Sequence, residues 1–156
     1  MEMWTNDSVK IIDHWPSPAS QASERGAYAI AIPAKNERAT VIACLQACWQ
    51  SMQRSLAKGK IMLVINNTTD DSQSKATTWA RATNCPLDIL NISVANDYAH
   101  AGLIRKIAME RAARSVNPDG VIMSTDADSK PDTELVTANL ARIADGYHLV
   151  CGDIQL

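Results

Sequence analysis

The chain has 156 residues and a formal net charge of -2, which provides no overall positive field to attract nucleic acid or an acidic membrane. Its hydrophobic content of 46% and its charged content of 21% are ordinary for a globular domain. No apolar run approaches the roughly 20 residues of a transmembrane segment, and the first residues lack the basic and apolar regions of a signal peptide. We therefore expect a cytoplasmic protein with no transmembrane segment and no nucleic acid partner.

The first part of the chain, residues 1–26, shows no clear hydrophobic period. It contains Trp4 and Trp15, and we expect it to form an amino-terminal extension that lies over the domain and is anchored by these tryptophans. From residue 27 onward, short apolar runs alternate regularly with helical patterns. Residues 27–156 are therefore predicted to form the folded domain.

Five short apolar runs are typical of buried strands. They cover residues 27–32, 61–65, 87–94, 121–125 and 147–151. Helical patterns separate them at residues 37–56, 72–82, 102–115 and 131–145. The first helical pattern has one apolar stripe, formed by Val41, Leu45, Cys48, Met52 and Leu56. Strands that alternate with long helices imply right-handed crossovers, and thus an α/β fold with a mainly parallel sheet.

The later connections carry turn signals. Residues 117–120 read Asn-Pro-Asp-Gly and are predicted to form a turn before the fourth strand. Pro131 suits the first turn of the last helix, and Gly146 is expected to end it. These signals mark the start of the fourth strand and both ends of the last helix.

The four cysteines do not form a recognisable framework. Cys44 and Cys48 lie on one predicted helix, whereas Cys85 and Cys151 are distant from them and from each other. No Cys-x-x-Cys spacing is present. We expect buried free thiols in a reducing compartment.

The fourth predicted strand leads directly into two carboxylates, Asp126 and Asp128. In an extended chain, residues two apart lie on the same side. Two adjacent negative charges repel, and a hard divalent cation such as Mg2+ or Mn2+ relieves this while also binding phosphate oxygens. The structural alternative is that both aspartates are turn and cap residues before Pro131.

In a parallel sheet, the loops that follow the strands meet at one edge, where ligands bind. These loops cover residues 33–37, 66–71, 95–101 and 126–129. They carry Ile-Pro-Ala-Lys-Asn-Glu at 32–37 and Val-Ile-Asn-Asn-Thr-Thr-Asp-Asp-Ser at 64–72. A helix with Arg105 near its start and the Asp-Ala-Asp-Ser stretch complete the set.

This ordered set resembles the nucleotide-sugar-binding half of the GT-A glycosyltransferases and is most similar to family 2. The resemblance covers about residues 27–156. It implies a Rossmann-like, mainly parallel sheet flanked by helices, here apparently truncated. It also implies an inverting enzyme that binds a nucleotide-diphosphate sugar through Mn2+ or Mg2+ and transfers the sugar to an unknown acceptor.

The resemblance implies roles in binding the nucleoside. Pro33, Ala34 and Glu37 match the first-strand motif that holds the nucleoside of the donor. Asn67 and Asp71 match the second-strand motif that contacts the base. Structural alternatives remain, because Pro33 can end a strand, Glu37 can favour a helix amino terminus, and Asn67 and Asp71 can form a turn and cap.

The resemblance also implies roles at the diphosphate. Arg105 matches the basic residue that faces the nucleotide, with Lys106 as a second choice and a solvated helix residue as the alternative. Asp126 matches the carboxylate near the ribose, and Asp128 matches the one that binds the bridging metal. A cation there neutralises the leaving group, and Arg105 could add a second positive contact.

The sequence departs from the family pattern in three places. Asn66 and Asn67 stand where carboxylates are common, and Glu110 stands where asparagine often follows the basic residue. The sequence stops before the Glu-Asp-type motif that supplies the family's catalytic base, so the catalytic residue is unknown. We expect a fragment or a natural short form, with an unpaired sheet edge that favours self-association.

Two other functions compete with this interpretation. A non-catalytic module that binds sugar nucleotides fits the absence of the second half. A haloacid-dehalogenase-like phosphatase also uses Asp-x-Asp after a strand, but there the pair follows the first strand. A dinucleotide-binding domain is disfavoured because no Gly-x-Gly-x-x-Gly follows the first strand. His100 lies at the same edge, where an ordinary loop histidine is favoured over a ligand.

Overall fold

The computed structural model describes residues 8–153. Five strands are present there: β1 Val9–Pro16, β2 Gly26–Ala34, β3 Gly59–Asn66, β4 Leu87–Val94 and β5 Val116–Ser124. They are connected by five α-helices: α1 Pro18–Gln21, α2 Val41–Gln53, α3 Ser72–Thr83, α4 Ala101–Ala113 and α5 Leu135–Ala144. A short 3-10 helix, Asn96–Tyr98, precedes α4.

The five strands form one sheet in the order β1-β4-β3-β2-β5. β2 pairs in parallel with both β3 and β5, and β3 pairs in parallel with β4. Only β1, at one edge of the described sheet, is antiparallel to its neighbour. The predicted α/β fold with a mainly parallel sheet flanked by helices is confirmed.

Each face of the sheet is covered by helices, and alternate residues of a strand therefore enter different cores. In β2, Ile30 and Ile32 pack on the face that carries α2, α3 and α5. Ala29 and Ala31 pack on the opposite face, against α4. All four side chains are fully buried, which explains why β2 reads as a continuous apolar run.

Part of the predicted amino-terminal extension belongs to the sheet itself. β1 pairs with β4 from Val9 opposite Val94 to Pro16 opposite Asp88. Trp15 packs against the core as expected, whereas Trp4 lies outside the described residues. No strand period is visible in this segment because β1 is mostly exposed and its register shifts between Ile11 and Asp13.

The predicted fifth strand at residues 147–151 is wrong. These residues have no regular structure, and the side chains of Tyr147 and Leu149 are 55% and 79% exposed. A short, mostly apolar segment does not by itself define a strand, because a strand also needs a neighbour with which to pair. Cys151 in this segment is exposed, which corrects the expectation that all four thiols are buried.

Several predicted boundaries also shift. The first long helix begins at Val41 rather than residue 37 and ends at Gln53, so Leu56 is fully exposed instead of extending the apolar stripe. The last helix begins at Leu135, after Pro131 rather than at it. The predicted turn at 117–120 lies within β5, where the pairing with β2 skips from Val116 to Val121.

The other three cysteines are free and buried, as expected. Burial raises the pKa of the Cys85 thiol to about 12, so this group stays protonated and unreactive. Within residues 8–153, no helix combines the length and apolarity that crossing a membrane requires.

Candidate functional site

The strand order reverses between β2 and β5. From β2 the chain adds β3 and β4 on one side, and it then returns to place β5 on the other side of β2. In parallel α/β sheets, ligands bind in the crevice beyond the strand ends at such a reversal. A ligand site is therefore expected at the residues that follow β2 and β5.

Pro33 lies where the pairing between β2 and β5 ends, beside this crevice. The Ala31 carbonyl accepts a hydrogen bond from Thr125 N at 3.2 Å, so residues of β2 with the same parity face β5. Pro33 is the next such residue, and it has no N–H with which to continue the pairing. The β2–β5 ladder ends there, whereas Pro33 and Ala34 remain opposite Val64 and Ile65 of β3.

The Asp126–Asp128 segment is fixed by its backbone and by the side chain between the two acids. The Asp126 carbonyl accepts hydrogen bonds from Cys44 Sγ at 3.3 Å and from Ser129 N at 3.0 Å. Ala127 is buried in the core, and both flanking aspartates are exposed. The turn therefore leaves two carboxylates accessible to solvent on an anchored backbone.

Arg105 joins this segment from α4. Its Nη2 forms an ion pair and hydrogen bond with Asp126 Oδ1, and the two side chains are 44% and 53% exposed. Lys106, the second choice from sequence, has its Nζ 4.0 Å from Glu110 Oε1 on the same helix. The structure thus brings Arg105 to the predicted carboxylate, 21 residues away in sequence.

The β3 loop uses Asn67 as a structural clamp. Asn67 has φ of 45°, and its side chain donates to the Val94 carbonyl at 2.7 Å and accepts from Val94 N at 2.8 Å. The amide thereby extends the β3–β4 pairing by imitating a backbone group. Both ends of the amide contact backbone, which supports the structural alternative for this residue.

The same loop contains an acid that the sequence analysis did not select. Asp70 accepts hydrogen bonds from Ser72 Oγ, from Ser72 N at 2.9 Å and from Arg38 N at 3.1 Å. These bonds, led by the one from the Ser72 hydroxyl, lower the pKa of Asp70. The Asp-Asp-Ser sequence could have indicated this role, because an aspartate side chain often accepts a hydrogen bond from the backbone amide two residues later.

Asp71, which the sequence analysis did select, lies closer to solvent. It precedes α3 but makes no capping hydrogen bond with its side chain. Its Oδ1 lies 3.7 Å from Arg38 Nε, and its side chain is 49% exposed. Asp71 therefore remains accessible to a ligand.

The loop after β2 is joined to the loop after β3. Asn36, with φ of 55°, accepts a hydrogen bond from Thr69 N at 2.9 Å and donates its own N–H to Thr68 Oγ1 at 3.3 Å. Glu37 accepts a hydrogen bond from Thr40 Oγ1 at 2.6 Å. The Asn36 contacts hold the two loops beside each other at the strand ends, whereas the Glu37 contact lies within the first loop.

His100 has a structural role. It is the residue that precedes α4, and its Nδ1 accepts a hydrogen bond from Leu103 N at 3.2 Å. His100 therefore caps the amino terminus of α4, in agreement with the sequence analysis, which favoured an ordinary loop histidine over a ligand.

The residues at the site fit a metal ion that is shared with a ligand. Within residues 8–153, no group of three or more His, Cys, Asp or Glu side chains gathers around a common point. Asp128 has an exposed carboxylate, the type of ligand that Mg2+ and Mn2+ prefer, whereas the Asp126 carboxylate is paired with Arg105. A single protein carboxylate leaves coordination positions for phosphate oxygens and water, whereas a structural metal site would need more protein ligands.

Neither a family model nor a curated protein matches this sequence. Solved structures do match. S. aureus TarS 1-349 in complex with UDP has a TM-score of 0.58 at 15% identity, over 76% of this chain and 32% of that one. The mannosyltransferase PcManGT from Pyrobaculum calidifontis, in complex with GDP-Man and Mn2+, has a TM-score of 0.54 at 19% identity, over 82% and 34%.

This chain has the GT-A glycosyltransferase fold. The expectation drawn from the ordered motifs is confirmed at that level, since TarS and PcManGT are both GT-A glycosyltransferases. TarS in complex with UDP-GlcNAc gives the same TM-score of 0.58, at 14% identity. The chain spans about a third of the length of these proteins, at 31 to 34% of each.

Proposed function

We propose that this chain is the nucleotide-sugar-binding part of an inverting glycosyltransferase of family 2, which uses Mn2+ or Mg2+. The observation that carries the proposal is the Arg105–Asp126 pair beside Asp128 at the strand-order reversal. That point is where this class of sheet binds ligands. The fold likeness to proteins in complex with UDP, UDP-GlcNAc and GDP-Man supports the choice of ligand.

Each group at the diphosphate then has a distinct task. Asp128 would hold the metal, which would neutralise the charge that develops on the leaving diphosphate. Asp126 accepts hydrogen bonds from the ribose, and Arg105 donates to phosphate oxygens. A proton does not need to be supplied to this leaving group. The residue that activates the acceptor hydroxyl is not assigned.

The ion pair holds the Arg105 and Asp126 side chains in position until the donor arrives. Both would exchange this contact for the donor, Arg105 for a phosphate and Asp126 for the ribose. The exchange costs little, because an ion pair this exposed contributes about 0–1 kcal/mol. The Arg105–Asp126 contact joins one guanidinium nitrogen to one carboxylate oxygen, whereas a phosphate can accept two parallel hydrogen bonds from the guanidinium.

The two joined loops would hold the nucleoside. Pro33 and Ala34 lie at the end of β2, and Glu37 and Asp71 follow in the two loops, from which their carboxylates would contact the nucleoside. Asn67 supports this surface indirectly, because its side chain is bonded to Val94. The contact to the base would then depend on Asp71, with Arg38 as its neighbour.

Calorimetric titration of the folded chain with UDP or GDP tests the proposal, with and without Mn2+. We expect binding that requires the metal and is lost in Asp128→Asn. Asp119→Asn is the matched control, because Asp119 is also an exposed aspartate but lies within β5, where the pairing with β2 skips from Val116 to Val121. Equal binding by both variants, or no metal-dependent binding by the folded wild type, would contradict the proposal.

A further inference from the structure

A second cavity lies at the other end of the sheet. It has a volume of about 410 Å3 and opens between β1, the starts of β3 and β4, and the end of α4. Lys60 and Asp88, in its wall, are the second residues of β3 and β4, whereas Asp126 follows the end of β5. Strands of eight residues at about 3.3 Å per residue separate the two regions by roughly 25 Å.

The walls of this cavity are more basic than the rest of the protein. Four lysine or arginine side chains and two carboxylates line it: Arg25, Lys60, Arg111, Arg114, Glu24 and Asp88. The whole chain has the opposite balance, with 15 basic and 17 acidic residues. The positive surplus is therefore a local property of this cavity, and it favours anions.

One of the acids is already neutralised. Asp88 accepts a hydrogen bond from Ser20 Oγ, and Lys60 Nζ lies 3.7 Å from Asp88 Oδ2 and 2.9 Å from Ser20 Oγ. The Lys60 and Asp88 side chains are only 12% and 11% exposed, so this network forms a fixed polar wall. With Lys60 and Asp88 paired, the remaining charged residues that line the cavity are Glu24 and three arginines.

Two of these arginines are free to bind. Arg25 and Arg114 are exposed, and in the part of the chain that the structure describes neither forms a salt bridge. They stand at separate places on the rim, one before β2 and one at the end of α4. Planar guanidinium groups match carboxylate and phosphate oxygens in two parallel hydrogen bonds.

The floor of the cavity is apolar. Met62 and Leu90 lie on the α4 face of the sheet, and Ile11 of β1 borders them with half of its surface exposed. An exposed isoleucine beside a cavity of this size offers apolar area that a ligand can cover. Small-molecule sites commonly combine such a floor with a few charged groups, at volumes of about 300–1,000 Å3.

We propose that this cavity binds an amphipathic organic anion. Its carboxylate or phosphate group is held by Arg25 and Arg114, and its aliphatic body lies on Ile11, Met62 and Leu90. The proposal does not depend on the function of the Asp126–Asp128 site, because it uses no residue of that site.

Calorimetric titration of the full chain with octyl phosphate, below the concentration at which the probe aggregates, tests this. Inorganic phosphate and octanol present each half of the probe alone, and octanoate tests the other oxyanion. We expect octyl phosphate to bind about tenfold or more tightly than either half. Added salt should weaken binding, because the arginines are exposed.

Charge reversal identifies the surface. Arg25→Glu and Arg114→Glu should each weaken octyl phosphate binding by about tenfold or more. Arg142→Glu is the matched control, because Arg142 lies in the last turn of α5 as Arg114 lies at the end of α4. Circular dichroism checks that each variant is folded.

Three results would overturn the proposal. Octyl phosphate could fail to bind the folded wild type, inorganic phosphate could bind as tightly, or Arg142→Glu could weaken binding as much as the two rim variants. UDP binding with Mn2+ serves as a separate measurement. The three rim and control variants should leave it unchanged, so failure here is distinguishable from failure at the donor site.

Discussion

Replacing Arg105 with glutamine separates a binding role at the site from a structural one. The change removes the ion pair with Asp126, whose side chains are 44% and 53% exposed. Exposed pairs contribute about 0–1 kcal/mol, so the free energy of unfolding should fall by no more than about 1 kcal/mol. Loss of a charged hydrogen bond to phosphate costs about 1.5–3 kcal/mol, which weakens donor binding about 10- to 150-fold.

Two assays measure these quantities on the same samples. Urea unfolding gives the change in stability, and calorimetry gives the affinity for UDP in the presence of Mn2+. Arg54→Gln is the control, because Arg54 pairs with Glu134 and the two side chains are 57% and 51% exposed. The control should lose as little stability as Arg105→Gln and should keep its affinity for UDP.

The opposite pattern would refute the reasoning. A variant Arg105→Gln that loses more than about 2 kcal/mol of stability but binds UDP normally would make the pair a structural brace. Arg105 would then have no part in binding the donor.

Three further predictions concern the framework of the site. Leu63→Ala, in the fully buried centre of β3, should lower the free energy of unfolding by about 2–5 kcal/mol in urea, and a loss below about 1 kcal/mol would contradict its central packing. Asn67→Ala removes both hydrogen bonds to Val94 and leaves alanine at a φ of 45°. Hydrogen exchange at the Val94 amide should therefore accelerate. An unchanged exchange rate would mean that the Asn67 side chain does not hold β4. Asp70→Asn tests the lowered pKa of Asp70: its stabilisation is present above the ordinary value of 3.8 and is lost as pH falls through the lower folded pKa. The variant should be less stable than wild type in urea at neutral pH, with the difference shrinking in acid, and a difference independent of pH would contradict this.

The central fold could be predicted because its signals are local. β2 and β3 contain continuous apolar runs, since helices cover both faces of the sheet. β1 could not be predicted in the same way, because an edge strand with a register shift keeps no regular alternation. The strand predicted at 147–151 was wrong for the converse reason, because hydrophobic residues alone do not supply a neighbouring strand with which to pair.

The site could be predicted in part. The position of Asp126 and Asp128 followed from the strand before them, and the family resemblance directed attention to Arg105. The sequence did not show which hydrogen bonds each polar side chain forms. The bonds of Asn67 to Val94 and of Asp70 to Arg38 N join residues far apart in the chain, and only the folded sheet brings them together.

The account depends most on a divalent ion bound beside Asp128 at the strand-order reversal. A crystal of this chain grown with UDP and Mn2+, with anomalous diffraction collected for manganese, tests it most directly. The account predicts a manganese peak within bonding distance of an Asp128 carboxylate oxygen, with diphosphate oxygens in its coordination shell and Arg105 turned from Asp126 toward a phosphate. A nucleotide bound elsewhere, or manganese with no contact to Asp128, would contradict it.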